Sequence, residues 1–63
     1  MRKNKHVNEP MYTVEEIAER LRVSVQTVRK WIRKKELTAM KLDREYRVRE
    51  SSLNEFIKRR EQG

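Results

Sequence analysis

The side chains in this sequence best placed to do chemistry are cations. Arg29, Lys30, Arg33, Lys34 and Lys35 fall within Val25–Lys35 with no acid among them, whereas Glu15, Glu16 and Glu19 outnumber Arg20 and Arg22 between Thr13 and Ser24. A surface that needs only solubility mixes its signs, and one that holds a polyanion gathers one sign on one element. The basic run therefore has two readings, a polyanion-binding face or a solvated helix face. Little else is offered to chemistry. The sequence has no Cys, one His (His6) and one Gly (Gly63). It thus lacks a thiolate nucleophile, a second imidazole or thiolate to share a metal, and a glycine-rich phosphate loop. The adjacent Glu15 and Glu16 are accounted for by the start of a helix, where carboxylates are favoured. Catalysis is excluded on these grounds, and no cofactor or metal is expected.

The elements that position those cations must come from a small chain. At 63 residues, 35% of them hydrophobic and 43% charged, with a net charge of +7, the chain is one domain near the lower size limit for a single core. Composition alone leans toward disorder, so the periodicity of the few apolar residues decides. No apolar run approaches the roughly 18 residues of a membrane span, and no signal-peptide core is present. A cytoplasmic, nucleoid-associated protein without membrane contact is the expectation.

Residues 1–10, with Arg2, Lys3, Lys5 and His6, read as a disordered basic arm ending at Pro10; it is either an unstructured tail or an arm that touches phosphates or a minor groove. Residues 11–60 form the domain and 61–63 a frayed end. Thr13-Val14-Glu15-Glu16 is a capping box, followed by Val14, Ile17, Ala18 and Leu21 on one helical face. After a break at Leu21–Ser24, Ser24 caps a second helix from Val25 to about Lys34. On it Val25, Val28, Trp31, Ile32 and Lys35 share a stripe. Gln26, Arg29, Lys30, Arg33 and Lys34 cover the opposite side, with Thr27 at its edge. Two short helices joined by a tight turn, the second basic, have the pattern of a helix-turn-helix.

From Leu37 the period changes to two. Pairing Leu42 with Tyr46 across Asp43-Arg44-Glu45 sets Met40 against Val48 and all four on one side. It also sets Lys41 against Arg47, a like-charge pair explained either by an anion lying there or by both side chains reaching into water. A third helix starts at Ser52, where Ser52-Leu53-Asn54-Glu55 reads as another capping box, and Lys58, Arg59 and Arg60 suit its last turn. The predicted core is Tyr12, Ile17, Ala18, Leu21, Val23, Val28, Trp31, Ile32, Leu37, Met40, Leu42, Tyr46, Val48, Leu53, Phe56 and Ile57. The fold class is mainly α with a small β-hairpin: three helices plus a two-stranded antiparallel wing.

Tyr12-Thr13-Val14-Glu15-Glu16-Ile17-Ala18, Leu21-Arg22-Val23-Ser24, Thr27-Val28-Arg29 and Trp31-Ile32 resemble the excisionase and MerR-type winged helix-turn-helix family. The likeness continues through Leu37–Leu42, Tyr46-Arg47-Val48 and Leu53–Ile57. It implies a second helix in the major groove of double-stranded DNA and a wing over the adjacent backbone or minor groove. Ser24, Gln26, Thr27, Arg29, Lys30 and Arg33 then face the groove, and Lys41, Arg44 and Arg47 become wing contacts. It further implies a recombination directionality factor, which bends DNA and recruits an integrase, or a small transcription regulator. The family often carries glycine where this sequence has Arg22, Glu36 and Asp43. Positive φ there costs a non-glycine residue on the order of 1 kcal/mol. Without the long C-terminal helix through which MerR-type regulators dimerise, a monomer when free is expected, with any pairing occurring on DNA.

Hydrogen-bonding chemistry divides the surface further. Gln26 can pair with adenine, and Arg29, Lys30 or Arg33 with guanine; Gln26, Arg29 and Lys30 are the expected base readers. Ser24, Thr27, Arg33, Lys34 and Lys41 are expected on phosphates, and Arg44 at the wing tip in a narrow minor groove. A protein-interaction module recruiting an integrase or polymerase, with weak DNA contact, is the alternative. RNA or lipid binding would need exposed stacking aromatics or a free apolar face, and neither is evident.

Overall fold

A computed structural model describes residues 9–62. The expected arm lies outside the described residues except for Glu9 and Pro10. The chain runs β1 (Met11–Thr13), α1 (Val14–Leu21), α2 (Val25–Arg33), β2 (Met40–Leu42), β3 (Glu45–Arg49) and α3 (Glu50–Gln62). This is a winged helix-turn-helix, mainly helical.

The helix-turn-helix forms where local signals place it. At the start of α1 the Glu16 amide donates to Thr13 Oγ1 at 3.1 Å, and the Thr13 amide donates to Glu16 Oε1 at 2.9 Å. That is the reciprocal capping box. Ser24 caps α2 by accepting from the Thr27 amide at 3.1 Å. Both helices end the same way. The amide of Val23 donates to the Ala18 carbonyl and that of Arg22 to Glu19; one helix later, Glu36 donates to Trp31 and Lys35 to Ile32. Each is a Schellman closure, which needs a left-handed residue at its turn. Arg22 (φ 60°) and Lys35 (φ 66°) supply it. Arg22 and Asp43 (φ 58°) thus occupy two of the three turn positions expected to be left-handed, while the third falls on Lys35 instead of Glu36. The reason is the closure itself, whose left-handed residue directly follows the cap Lys34.

The wing departs from expectation in strand number and in register. It has three strands, ordered β1-β3-β2 and all antiparallel, in place of two. Tyr12 pairs with Val48, so the residues following Pro10 form an edge strand. The hairpin turn has two residues, Asp43 and Arg44, because Leu42 pairs with Glu45, Lys41 with Tyr46 and Met40 with Arg47. A left-handed Asp43 permits this tighter loop. One residue of slip moves every side chain of β2 to the other face. Leu42, expected in the core, is 46% exposed, and Met40 is only half-buried.

The core itself is Val14, Ile17, Ala18, Val28, Trp31, Ile32, Leu37, Val48, Leu53 and Phe56. Half-buried Tyr12, Leu21, Val23, Tyr46 and Ile57 pack against it. Trp31 and Phe56 meet with ring centroids 4.8 Å apart, joining α2 to α3. The start of α3 differs from the expected capping box at Ser52. The helix begins two residues earlier, and its first amides are satisfied from the other end of the domain. Glu50 donates to the Pro10 carbonyl at 3.0 Å and Ser51 to Glu9 Oε1 at 2.6 Å.

Candidate nucleic-acid interface

Helix α2 buries Val28, Trp31 and Ile32, and by helical periodicity turns its remaining faces outward. Gln26, Arg29, Lys30, Arg33 and Lys34 are all exposed, as is Ser24, while Thr27 is half-buried. Its first turn holds no acid, and Lys30 and Arg33 stand in its last. Ser24 Oγ and Thr27 Oγ1 lie 2.9 Å apart. One hydroxyl proton serves that bond, which leaves the second free to donate outward, as a phosphate contact requires.

The hairpin places its cations on two different faces. Lys41 and Tyr46 are cross-strand partners, with Lys41 Nζ 5.9 Å from the centroid of the Tyr46 ring. Lys41, Arg44 and Tyr46, together with Arg29 of α2, line one cleft of about 270 Å³ that also touches Thr13, Val14, Glu15 and Glu45. A neighbouring cleft is lined by Arg33, Lys35 and, again, Tyr46. Arg47 is not in this group. It pairs with Met40 and Thr13 on the sheet's opposite face, and its guanidinium donates to Glu45 Oε1 at 2.6 Å. That bond, reinforced by the charges of Glu45, Glu16 and Glu15, raises its pKa above the usual arginine value. The expected Lys41–Arg47 like-charge pair therefore does not exist, and the anion it would have called for loses that support. The cause is the same one-residue slip.

Cations elsewhere fasten the fold. The Arg20 guanidinium lies 4.8 Å over the Tyr12 ring, and its interaction with that tyrosine raises its pKa. Arg60 stacks on Trp31 and Phe56 at 4.9 and 5.1 Å and reaches Glu36 at 4.0 Å. Arg59 donates to the Glu36 carbonyl at 3.1 Å, tying α3 to the end of α2. By contrast, among the described residues, Arg29, Lys30, Arg33, Lys34 and Arg44 make no side-chain hydrogen bond or ion pair.

Two residues escaped the sequence reading. Helical periodicity puts Lys35 on the apolar stripe, but the left-handed turn throws it outward beside Arg33. Alternation puts Tyr46 in the core; it packs against the core, half-buried, and its exposed side borders both clefts. The offset of a Schellman closure was the available signal for Lys35. For Tyr46 it was the choice between a two- and a three-residue turn.

Among the described residues no group of His, Cys, Asp and Glu could hold a metal ion, and no helix is long and apolar enough to cross a membrane. No curated protein and no solved structure matches the chain significantly. A family model described as helix-turn-helix domain matches residues 11–61, which cover every helix and strand described above except the last residue of α3. With that match across most of its length, and with both helix caps, the turn and the wing in place, the chain belongs to the helix-turn-helix domain family of DNA-binding proteins.

Proposed function

We propose that this protein reads sequence in double-stranded DNA, with α2 in the major groove and the hairpin on the adjacent backbone and minor groove, and without catalytic activity. The observation that carries the reading is the division of its cations. Those on α2 and the hairpin turn are unengaged, while Arg20, Arg47, Arg59 and Arg60 are used within the fold. Gln26 and Lys30 on α2 are the proposed base contacts, and Ser24, Thr27, Arg33, Lys34 and Lys41 the proposed phosphate contacts. Arg44 is proposed to reach the minor-groove side. A role as an excisionase-like recombination directionality factor or a small transcription regulator fits a winged domain of this size, because the family includes excisionase-like proteins.

Fluorescence anisotropy with a randomised duplex pool and with its selected winners, across a salt series, tests this. Neutralising about five phosphates predicts a slope of log K against log salt near −4 to −5. A selected motif that relaxes at one position in Gln26→Ala is the expected companion result. A flat slope would refute DNA binding and favour the protein-recruiting reading.

A further inference from the structure

Placing α2 in the major groove and the hairpin in the neighbouring minor groove has a geometric consequence. The sugar-phosphate strand that separates those two grooves must pass between helix and hairpin. The space available there is the cleft of about 270 Å³, whose walls carry Arg29 from α2, Lys41 from β2 and Arg44 from the turn. All three are exposed, and among the described residues none takes part in an ion pair. Of the two carboxylates at the rim, Glu45 is held by Arg47 at 2.6 Å, and Glu15 sits in the first turn of α1, where the helix dipole offsets its charge. The cations prevail.

We infer that this cleft seats one backbone phosphodiester, gripped by Arg29 from the helix side and by Lys41 from the hairpin side, with Arg44 on the same wall reaching on toward the minor groove. The inference rests on the DNA-binding reading and refines it. Arg29, grouped by side-chain type with the base readers, becomes a positioning contact that fixes where the helix sits along the groove. Base readout falls to Gln26 and Lys30, which lie one turn apart on α2 and outside this cleft. Arg47, on the other face of the sheet, touches no phosphate and acts only by holding Glu45.

The test compares wild type with Arg29→Ala, Lys41→Ala, Gln26→Ala and Arg47→Ala, with circular dichroism confirming helical content. Each is titrated across salt with the selected duplex, with the randomised pool, and with duplexes carrying a neutral methylphosphonate at one backbone position at a time. Arg29→Ala and Lys41→Ala should each shrink the salt slope by about 1 and leave the selected motif unchanged. One methylphosphonate position should weaken wild type about tenfold while scarcely affecting Arg29→Ala. Arg47→Ala, which frees the Glu45 carboxylate at the rim, should weaken binding while losing less of the slope than Arg29→Ala does. A motif that degenerates at one position in Arg29→Ala, with the slope intact, would overturn the phosphate assignment while leaving DNA binding standing. A flat wild-type slope would overturn both.

Discussion

At the scale of single residues, type and position in the chain say less than the turn each residue occupies. Arg22 and Lys35 sit in left-handed conformation because the two helices close through the same hydrogen-bond pattern. Side chains bearing a Cβ resist that conformation by roughly 1–2 kcal/mol. Glycine would relieve the strain, though its greater freedom in the unfolded chain takes back part of the gain. We therefore predict that Arg22→Gly and Lys35→Gly each stabilise the domain by about 0.5 kcal/mol, or roughly 2–4 °C in Tm for a chain of this size. Thermal denaturation followed by circular dichroism checks this; a lowered Tm in both variants would show that contacts of the long side chains outweigh the strain. The candidate DNA surface was legible at this scale for α2, because helical periodicity fixes which side chains face outward once Val28, Trp31 and Ile32 are buried. Legibility failed at Lys35 and Arg47, whose surroundings depend on turns that composition does not define.

At the scale of elements, the helix-turn-helix was readable from Thr13 and Ser24 because capping is a local interaction between residues three apart. The wing was less readable. Alternation along Met40–Leu42 and Tyr46–Val48 identified two strands, but two- and three-residue turns both fit it, and they assign opposite faces to β2. The third strand was hidden because three residues after a proline carry no periodic signal, and only the pairing of Tyr12 with Val48 gives them a structure. The start of α3 was hidden for a similar reason, since its caps Glu9 and Pro10 come from the far end of the sequence. The register has a direct check. With Leu42 outside the core, Leu42→Ser should change stability by no more than about 0.5 kcal/mol. Leu37→Ala, at a residue 1% exposed, should cost about 2–5 kcal/mol. Equal losses in urea denaturation would restore the three-residue turn.

At the scale of the whole molecule, a net charge of +7 on 63 residues makes self-repulsion a standing cost to the folded state. The ion pairs that oppose it among the described residues, Arg47–Glu45 and Arg60–Glu36, lie at the surface, where such pairs contribute little. Screening should therefore remove more repulsion than attraction. Raising the salt from about 10 mM to about 150 mM shortens the Debye length from roughly 30 Å to 8 Å. The predicted result is a higher Tm, measured without DNA; a fall would mean that charge attraction holds the fold together. The same salt weakens a phosphate-bound complex, so stability and binding are expected to move in opposite directions.

The docking of β1 sets the order in which the molecule is built. Helices α1 and α2 are neighbours in sequence and can meet early, as short-range contacts do. Pairing Tyr12 with Val48 and capping α3 with Glu9 must wait until both helices and the hairpin have been enclosed in one long loop, whose closure entropy is met before its contacts are gained. Because β3 is shared between β1 and the hairpin, the hairpin takes its final place beside α2 only when that loop closes. The cleft between them therefore rests in part on a closure made at the far end of the sequence, and loosening β1 should loosen it.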